Sequence, residues 1–239
     1  MYQDPAQKTT EKQKEGSDFF ENYQEFEEWR AVFYKLAWLG LSYPGESLAE
    51  AVYSGKFFQG MKKTAAILRF EQIADDNLDD LASHELSEKT LQELETEYVS
   101  LFISDLGGAL VPPYGSVYLD NEVMGPSTRR VAEKYRKAGF KKDSGHDDLP
   151  DHISVELEYL FKLTQKENRK KYHLHLEFFD ELLAPWVEEF TGSVRREADS
   201  GFYSTLAGWL NAGLKRDRQF LKEMVKAKDN NAETDRGFK

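Results

Sequence analysis

Apolar residues recur along most of this chain at intervals of three and four, the spacing of one face of an α-helix. One such face is formed by Leu91, Leu94, Tyr98, Leu101 and Phe102. No segment longer than residues 117–119 shows the two-residue alternation of a β-strand. The pattern therefore predicts an all-α protein.

Capping residues and helix breakers set the predicted boundaries. Ser17 and Ser87 are good N-caps, and Gly139 suits the position just after a helix C-terminus. Pro185 is expected to kink or restart a helix. The predicted helices cover residues 18–39, 46–53, 57–69, 87–103, 127–138, 150–167, 170–183 and 201–226.

A single globular helical domain accounts for these elements. It covers residues 18–228, divided into an N-terminal half at 18–103, a connecting loop at 104–126 and a C-terminal half at 127–228. The polar segments 1–17 and 229–239 are interpreted as a disordered tail and a polar tail. The connecting loop is rich in Gly and Pro, and long ordered loops in compact domains are often functional.

The strongest helix-start signal is Asp-Leu-Pro-Asp-His at residues 148–152. Pro150 has a fixed φ and no N–H, so it suits a first helical turn. Asp148 can cap that turn, and Asp151 adds negative charge where the helix dipole favours it. On its residues alone, the stretch is interpreted as a well-capped helix with His152 partly exposed.

Composition and charge narrow the class of protein. The chain has 239 residues and a formal net charge of −11, with ten acidic residues and one Lys between positions 71 and 97. This balance argues against nucleic acid as the partner, because phosphate binding needs a basic face. The absence of Cys excludes disulfides, thiolate metal sites and a Cys nucleophile. Without a secretory h-region or an apolar run long enough to cross a bilayer, a cytoplasmic protein with no stable membrane insertion is expected.

Acidic and imidazole groups near position 150 raise the alternative of a metal-dependent enzyme. The candidate ligands are His146, Asp147, Asp148, Asp151 and His152. Their side-chain types suit a metal ion, but their spacing matches no ligand signature such as His-Glu-x-x-His. A capping role is therefore favoured over metal binding.

Signals for other chemistry are weak. His173 and His175 are two residues apart, so on a helix they face different directions, and both are expected to be at the surface or partly buried. Asp151 and His152 could form an acid/base pair, but a nucleophile in a recognisable setting is lacking. The sequence therefore predicts a protein that is not an enzyme and carries no cofactor.

Short motifs in a fixed order nevertheless resemble those of a known family. They are Tyr-x-x-Leu-Phe at 98–102, Pro-Pro-Tyr-x-Ser-Val-Tyr at 112–118, Gly-Phe at 139–140, Leu-Pro-Asp-His at 149–152 and Glu-Leu-x-Tyr-Leu at 156–160. Together they resemble the TorD/DmsD/NarJ family, cytoplasmic chaperones for the maturation of molybdenum-containing oxidoreductases.

The resemblance implies an all-helical, non-catalytic protein. It would bind the twin-arginine leader or the apo-form of a molybdopterin oxidoreductase catalytic subunit, assist cofactor insertion and prevent premature export. The implied leader-binding residues are Tyr98, Leu101, Phe102, Pro113, Tyr114, Ser116, Tyr118, Asp148, Pro150, Asp151 and His152. The resemblance also implies a monomer or a homodimer, and weak guanine nucleotide binding as found in some members.

The chemistry of such a leader suits these residue types. Carboxylates can hold the two guanidinium groups, and aromatic and aliphatic walls can hold the apolar segment that follows them. Charge reversal of Asp151 together with replacement of His152 is expected to abolish leader binding while helicity survives.

Two departures from the family pattern bear on leader specificity. The family has Glu two residues before Pro-Asp-His, where this chain has Asp148, and often has Glu or Trp near position 115, where this chain has Gly115. The alternative within the family is a NarJ-like assembly factor for a membrane-bound nitrate reductase.

Overall fold

Helices make up the fold throughout the part of the chain that the computed structural model describes, residues 23–70, 91–103, 108–141, 148–165, 171–199 and 201–236. They are α1 (Tyr23–Gly40), α2 (Glu46–Tyr53), α3 (Lys56–Leu68), α4 (Leu91–Tyr98), α5 (Gly115–Asp120), α6 (Pro126–Ala138), α7 (Ile153–Leu163), α8 (Tyr172–Phe178), α9 (Ala184–Glu197) and α10 (Gly201–Arg236). Two π-helical turns, Val99–Ile103 and Phe179–Leu183, follow α4 and α8. The predicted all-α class is confirmed.

Several predicted boundaries agree with the structure. Helix α2 has the predicted limits, and α3 is displaced from its prediction by one residue at each end. Gly139 ends α6 with a left-handed φ of 71°, and its N–H donates to backbone carbonyls of the last turn. That conformation is costly for residues with a Cβ, which is why Gly is favoured there.

Part of the predicted connecting loop is helical. Helix α5 lies within it and includes residues 117–119, the segment that alternated most like a strand. Its short apolar run was ambiguous between helix and strand, since periodicity cannot separate them over three residues.

Helix ends differ most from the predictions. Helix α7 ends at Leu163 rather than near position 167, and α10 continues to Arg236, through most of the segment interpreted as a polar tail. A polar helix end carries no apolar periodicity, so its length cannot be predicted from the pattern. The predicted caps Ser17 and Ser87 and the tail 1–17 lie outside the described residues.

The core forms where α1 and α10 meet the other helices. Helix α1 packs along α7 and α3, and α10 packs against α8, α9, α3 and α1. Phe33 and Trp209 lie at the centre, with ring centroids 4.8 Å apart. Gly213 allows the closest approach, because an added Cβ there would lie 2.1 Å from the Phe33 ring. None of the helices in the described ranges is long and apolar enough to cross a membrane.

A buried polar network links α1, α8 and α10. Arg30 donates to both carboxylate oxygens of Asp217, and the Tyr34 hydroxyl donates to Asp217 Oδ2 at 2.6 Å. His175 Nε2 lies 3.0 Å from the Tyr34 oxygen. Because the Tyr34 proton is already donated, Nε2 must carry the imidazole proton and donate. His175 is only 2% exposed, so the expectation of a surface or partly buried side chain was wrong for it. His173 is exposed, in agreement with that expectation.

Candidate functional site

Two motifs distant in sequence meet at the start of α7. The extended backbone of Tyr114 pairs with that of His152 in an antiparallel bridge. The Gly115 N–H donates to the Asp151 carbonyl at 2.9 Å, and the Ile153 N–H donates to the Pro113 carbonyl at 2.8 Å. The Pro-Pro-Tyr and Pro-Asp-His segments therefore form one structural unit.

Asp151 fixes this unit from the inside. Its side chain is fully buried, and its Oδ2 accepts the backbone N–H of Ser116 at 2.9 Å. That bond satisfies a free N–H in the first turn of α5, where the helix dipole also favours a carboxylate. Asp151 thus caps α5, a helix that precedes it in the chain.

His152 caps α7 itself. Its Nδ1 accepts the N–H of Ser154 at 3.2 Å and lies 2.7 Å from the Ser154 hydroxyl. Its side chain is 2% exposed, so the interpretation of a partly exposed His152 was wrong. Pro150 and Asp148 do not start the helix as predicted: Pro150 lies in a turn closed by the His152 N–H and the Leu149 carbonyl. Proline has the same φ at the second position of a turn as in the first turn of a helix. The sequence therefore did not show which of the two structures Pro150 forms.

Asp148 faces a cluster of tyrosines. Burial raises the pKa of Tyr98, and the Asp148 carboxylate adds to this shift, followed by Tyr114 and Tyr43. Burial and then Asp148 likewise raise the pKa of Tyr114. Tyr43 is 52% exposed and meets Tyr98 edge-on, with ring centroids 5.4 Å apart. A carboxylate thus lies among aromatic rings at a partly open surface.

Exposed aliphatic side chains lie close in the chain to this cluster. Leu101 and Phe102 are buried, whereas Val99 and Ile103 on either side of them are 41% and 50% exposed. The Val111 N–H donates to the Leu101 carbonyl at 2.8 Å, which places Leu110, 56% exposed, beside the same turn. We call Val99, Ile103 and Leu110 the aliphatic rim.

Trp186 of α9 packs against Tyr118 and Gly115, next to the Pro-Pro-Tyr segment. Its ring stacks on Tyr118 with centroids 5.3 Å apart, and the Tyr118 hydroxyl donates to the Pro112 carbonyl at 3.0 Å. A Cβ at Gly115 would lie only 3.0 Å from the indole nitrogen. A Glu or Trp at this position, as in the family pattern, would displace the indole.

Gly139 and Phe140 border the unit on the α6 side. Phe140 packs edge-on against Tyr135 and Tyr159, with centroids 4.8 and 5.2 Å away. The Tyr135 hydroxyl donates to the Pro150 carbonyl at 3.0 Å and so supports the turn. A cavity of about 410 Å³ lies between Phe140, Tyr135 and Pro150.

Burial divides the predicted site residues into two groups. The buried group forms the scaffold: Tyr98, Leu101, Phe102, Pro113, Ser116, Asp151 and His152. The half-buried group remains accessible: Tyr114, Tyr118, Asp148 and Pro150. The leader-binding role of both groups stays a prediction, and only the second can contact a ligand without rearrangement.

Glu156 was not predicted as a site residue. It occupies the inner face of α7 and is fully buried, and burial followed by the neighbouring Asp151 raises its pKa well above the ordinary value. The Trp186 N–H approaches the carboxyl outside hydrogen-bonding geometry and lowers the pKa in part. One signal in the sequence could have indicated this residue: Glu156 is a charged residue at a helical position that faces the core.

The metal alternative gains no support from the described part of the chain. No group of three or more His, Asp or Glu side chains there is placed to hold a metal ion. His146 and Asp147, two of the predicted ligands, lie outside the described residues.

Comparison with known proteins identifies the family. Residues 61–192 match the family model described as nitrate reductase delta subunit, which is more than half of the chain. The chain belongs to this family. The resemblance to the TorD/DmsD/NarJ family is confirmed by this match and by the relatives that follow.

Individual members of the family agree with this assignment. The chaperone protein TorD of Shewanella oneidensis is 29% identical over 144 residues, which cover 56% of this chain and 64% of that protein. TorD of Vibrio parahaemolyticus is 28% identical over 142 residues, again covering 64% of the relative. The chain therefore aligns with somewhat less than two thirds of the length of these relatives. A crystal structure of a proposed redox enzyme maturation protein from Archaeoglobus fulgidus is 28% identical, with a TM-score of 0.51 over 80% of this chain and 93% of that one.

Proposed function

We propose that this family member is a cytoplasmic chaperone that binds the twin-arginine leader of a molybdopterin oxidoreductase catalytic subunit. The observation that carries the proposal is the half-buried Asp148 beside Tyr98 and Tyr114, two tyrosines that are close in the chain to the aliphatic rim. Binding holds the subunit back until its cofactor is inserted. The role is non-catalytic, in keeping with relatives that are named chaperones.

Asp148 is the proposed contact for the arginine pair. A carboxylate accepts two parallel N–H bonds from guanidinium, a geometry that an ammonium group cannot match. The rings of Tyr98 and Tyr114 lie near this carboxylate, and aromatic faces also attract guanidinium. Arginine is therefore preferred over lysine at this position.

The aliphatic rim is the proposed contact for the apolar part of the leader. Val99, Ile103 and Leu110 are large and exposed, whereas Leu101 and Phe102 in the same turn are buried. Exposed apolar side chains next to a charged group suit an amphipathic segment, which binds in a groove by its apolar face.

Calorimetric titration with a synthetic twin-arginine leader tests the proposal. We expect binding to the natural leader and at least about tenfold weaker binding to a Lys-Lys version, because the bidentate bonds are lost. Asp148→Asn should weaken binding of the natural leader by about tenfold and narrow the difference between the two peptides.

A matched variant controls for the loss of one charge. Asp199→Asn removes an exposed carboxylate between α9 and α10 and should leave affinity unchanged. Equal affinities for the Arg-Arg and Lys-Lys peptides would contradict the assignment of Asp148. Absence of binding to either peptide would contradict leader recognition itself.

A second candidate rests on the name of the matching family. A nitrate reductase delta subunit suggests assembly of a membrane-bound nitrate reductase, a client whose leader is vestigial. Such a protein should bind the apo-subunit as tightly without its N-terminal segment as with it. Co-purification with full-length and truncated catalytic subunits separates the two candidates.

A further inference from the structure

Glu156 lies in a buried polar cluster directly beneath the junction of the two motifs. Its side chain is fully buried, and neither carboxyl oxygen has a hydrogen-bond partner among the described residues. Asp151 Oδ1 and the Ser116 hydroxyl, also buried, have no such partner either. Buried polar groups in folded proteins rarely lack a hydrogen-bond partner, so this cluster calls for an explanation.

The groups that face Glu156 come from three directions. Asp151 comes from the turn before α7, Tyr135 from α6 and the Trp186 indole from α9. Helix α1 also packs along α7, but its buried charges, Glu27 and Arg30, belong to the Asp217 network. Asp151 is the one carboxylate among the described residues that shifts the pKa of Glu156.

A neutral Glu156 makes this arrangement stable. Two buried carboxylates side by side cannot both be ionised without strong repulsion. Burial and the neighbouring Asp151 together raise the pKa of Glu156 well above its ordinary value, which favours a protonated Glu156. Asp151 is then able to serve as the acceptor for the Ser116 N–H.

We propose that the protonated carboxyl of Glu156 is a positioning group for the leader site, acting through Asp151. It preserves the hydrogen bond that the Ser116 N–H donates to Asp151, and this bond holds Tyr114 beside Asp148. Ionisation of Glu156 places a negative charge against the Asp151 carboxyl group, loosens its bond to Ser116 and releases the 112–116 segment. This inference rests on the leader-binding function proposed above, and it makes leader affinity fall as the pH rises.

The same group affects stability with a defined sign. The folded state holds a proton on Glu156 at pH values where the unfolded chain, with an ordinary value of 4.5, has lost it. The contribution of Glu156 to stability is therefore complete below pH 4.5 and declines as the pH rises towards the pKa of the folded state. Glu156→Gln, which is neutral at every pH and has the same length, removes this decline.

NMR of the wild-type protein tests the positioning step without a ligand. The carboxyl ¹³C shift of Glu156 should titrate well above the ordinary range, and the Ser116 amide proton should move over the same pH interval as its bond weakens. In Glu156→Gln the Ser116 amide should not move. Ordinary titration of Glu156, or a Ser116 amide that ignores it, would overturn the inference.

Leader titration across the same interval tests the consequence for binding. With an N-acetylated twin-arginine leader, wild-type affinity should fall at least fivefold over the interval in which Glu156 titrates, whereas that of Glu156→Gln should change less than twofold. Glu133→Gln, an exposed control on α6, should follow the wild type. Identical pH profiles for wild type and Glu156→Gln would overturn the inference while leaving leader binding intact. Failure of the wild type to bind at any pH would refute the proposed function, and the NMR result would still decide the role of Glu156.

Discussion

His175 shows how a single residue can carry pH dependence through burial. It is fully enclosed, and burial, followed by the charge of Arg30, lowers its pKa to about 3. The neutral imidazole accepts from Arg30 at Nδ1 and donates to Tyr34 from Nε2, so both ring nitrogens are used. Protonation would place a donor against the Arg30 guanidinium.

The acid side of the stability profile should report this residue. Because the folded pKa lies below the unfolded value of 6.5, the stabilisation is complete above pH 6.5 and is lost as the pH falls towards 3. Unfolding free energy should decline in this range by up to about 1.4 kcal/mol per pH unit from this group. His175→Gln should flatten that slope in urea unfolding measured between pH 7 and pH 4.

The neighbouring exposed histidine supplies the control. His173→Gln should leave the slope unchanged, because its side chain is solvated in both states. Equal slopes for the wild type and His175→Gln would show that another group carries the acid sensitivity.

Residue types and spacing predicted some of the site and missed the rest. They marked Asp148, Asp151 and His152 as one motif, but they did not show that two of these are buried scaffold. That division depends on the 112–116 segment crossing the start of α7, a tertiary contact that no local pattern contains. Glu156 lies in the Glu-Leu-x-Tyr-Leu motif but was not predicted as a site residue, because the residue type alone does not show whether an acidic side chain is buried.

Among the elements, α1 and α10 depend on one glycine. An added Cβ at Gly213 would lie 2.1 Å from the ring of Phe33, itself held between Phe70 and Trp209. Gly213→Ala should therefore destabilise the protein by about 1–3 kcal/mol through overpacking, despite the better helix propensity of Ala. Chemical denaturation would measure the loss.

Gly208 of the same helix provides the matched control. The nearest atoms to its added Cβ are at 3.7 Å or more, on the flexible Arg195 side chain. Gly208→Ala should be neutral or stabilising by up to about 1 kcal/mol, since only helix propensity changes. A similar loss for both variants would mean that α10 responds to backbone effects rather than to packing against α1.

Three helices with apolar periodicity were predicted within one residue at each end, whereas the ends of α7 and α10 were not. Helices α2, α3 and α6 combine such a pattern with clear breakers, and Gly139 marked the end of α6. Helix α5 was missed because its six residues are shorter than two turns. The π-helical turns were not foreseen either, since one inserted residue shifts the helical period without a characteristic sequence signal.

On the scale of the whole molecule, the net charge of −11 should govern encounter with a basic leader. The field attracts Arg-Arg and Lys-Lys peptides alike, so association rates should be similar for both and fall at least about tenfold between low and high salt. Discrimination between the peptides should reside in the dissociation rate, because only the bound state forms bidentate bonds. Stopped-flow binding with both peptides at several salt concentrations would measure the association rate and the dissociation rate separately.

Different association rates for the two peptides would contradict this division. It would mean that arginine is recognised during approach, before Asp148 is reached. Loss of the salt dependence would instead indicate that the aliphatic rim makes the first contact.

The bond between Ser116 and Asp151 also has a topological consequence. It closes a loop between positions 35 residues apart, and α6 lies within that loop. Once both ends are tied, the entropy of the enclosed chain depends only logarithmically on its length, so doubling it costs about 0.6 kcal/mol. Insertions between α6 and the Pro150 turn should thus leave the junction intact, whereas one extra residue inside 112–116 would break its register. The length of this chain should therefore tolerate change in the first segment and not in the second.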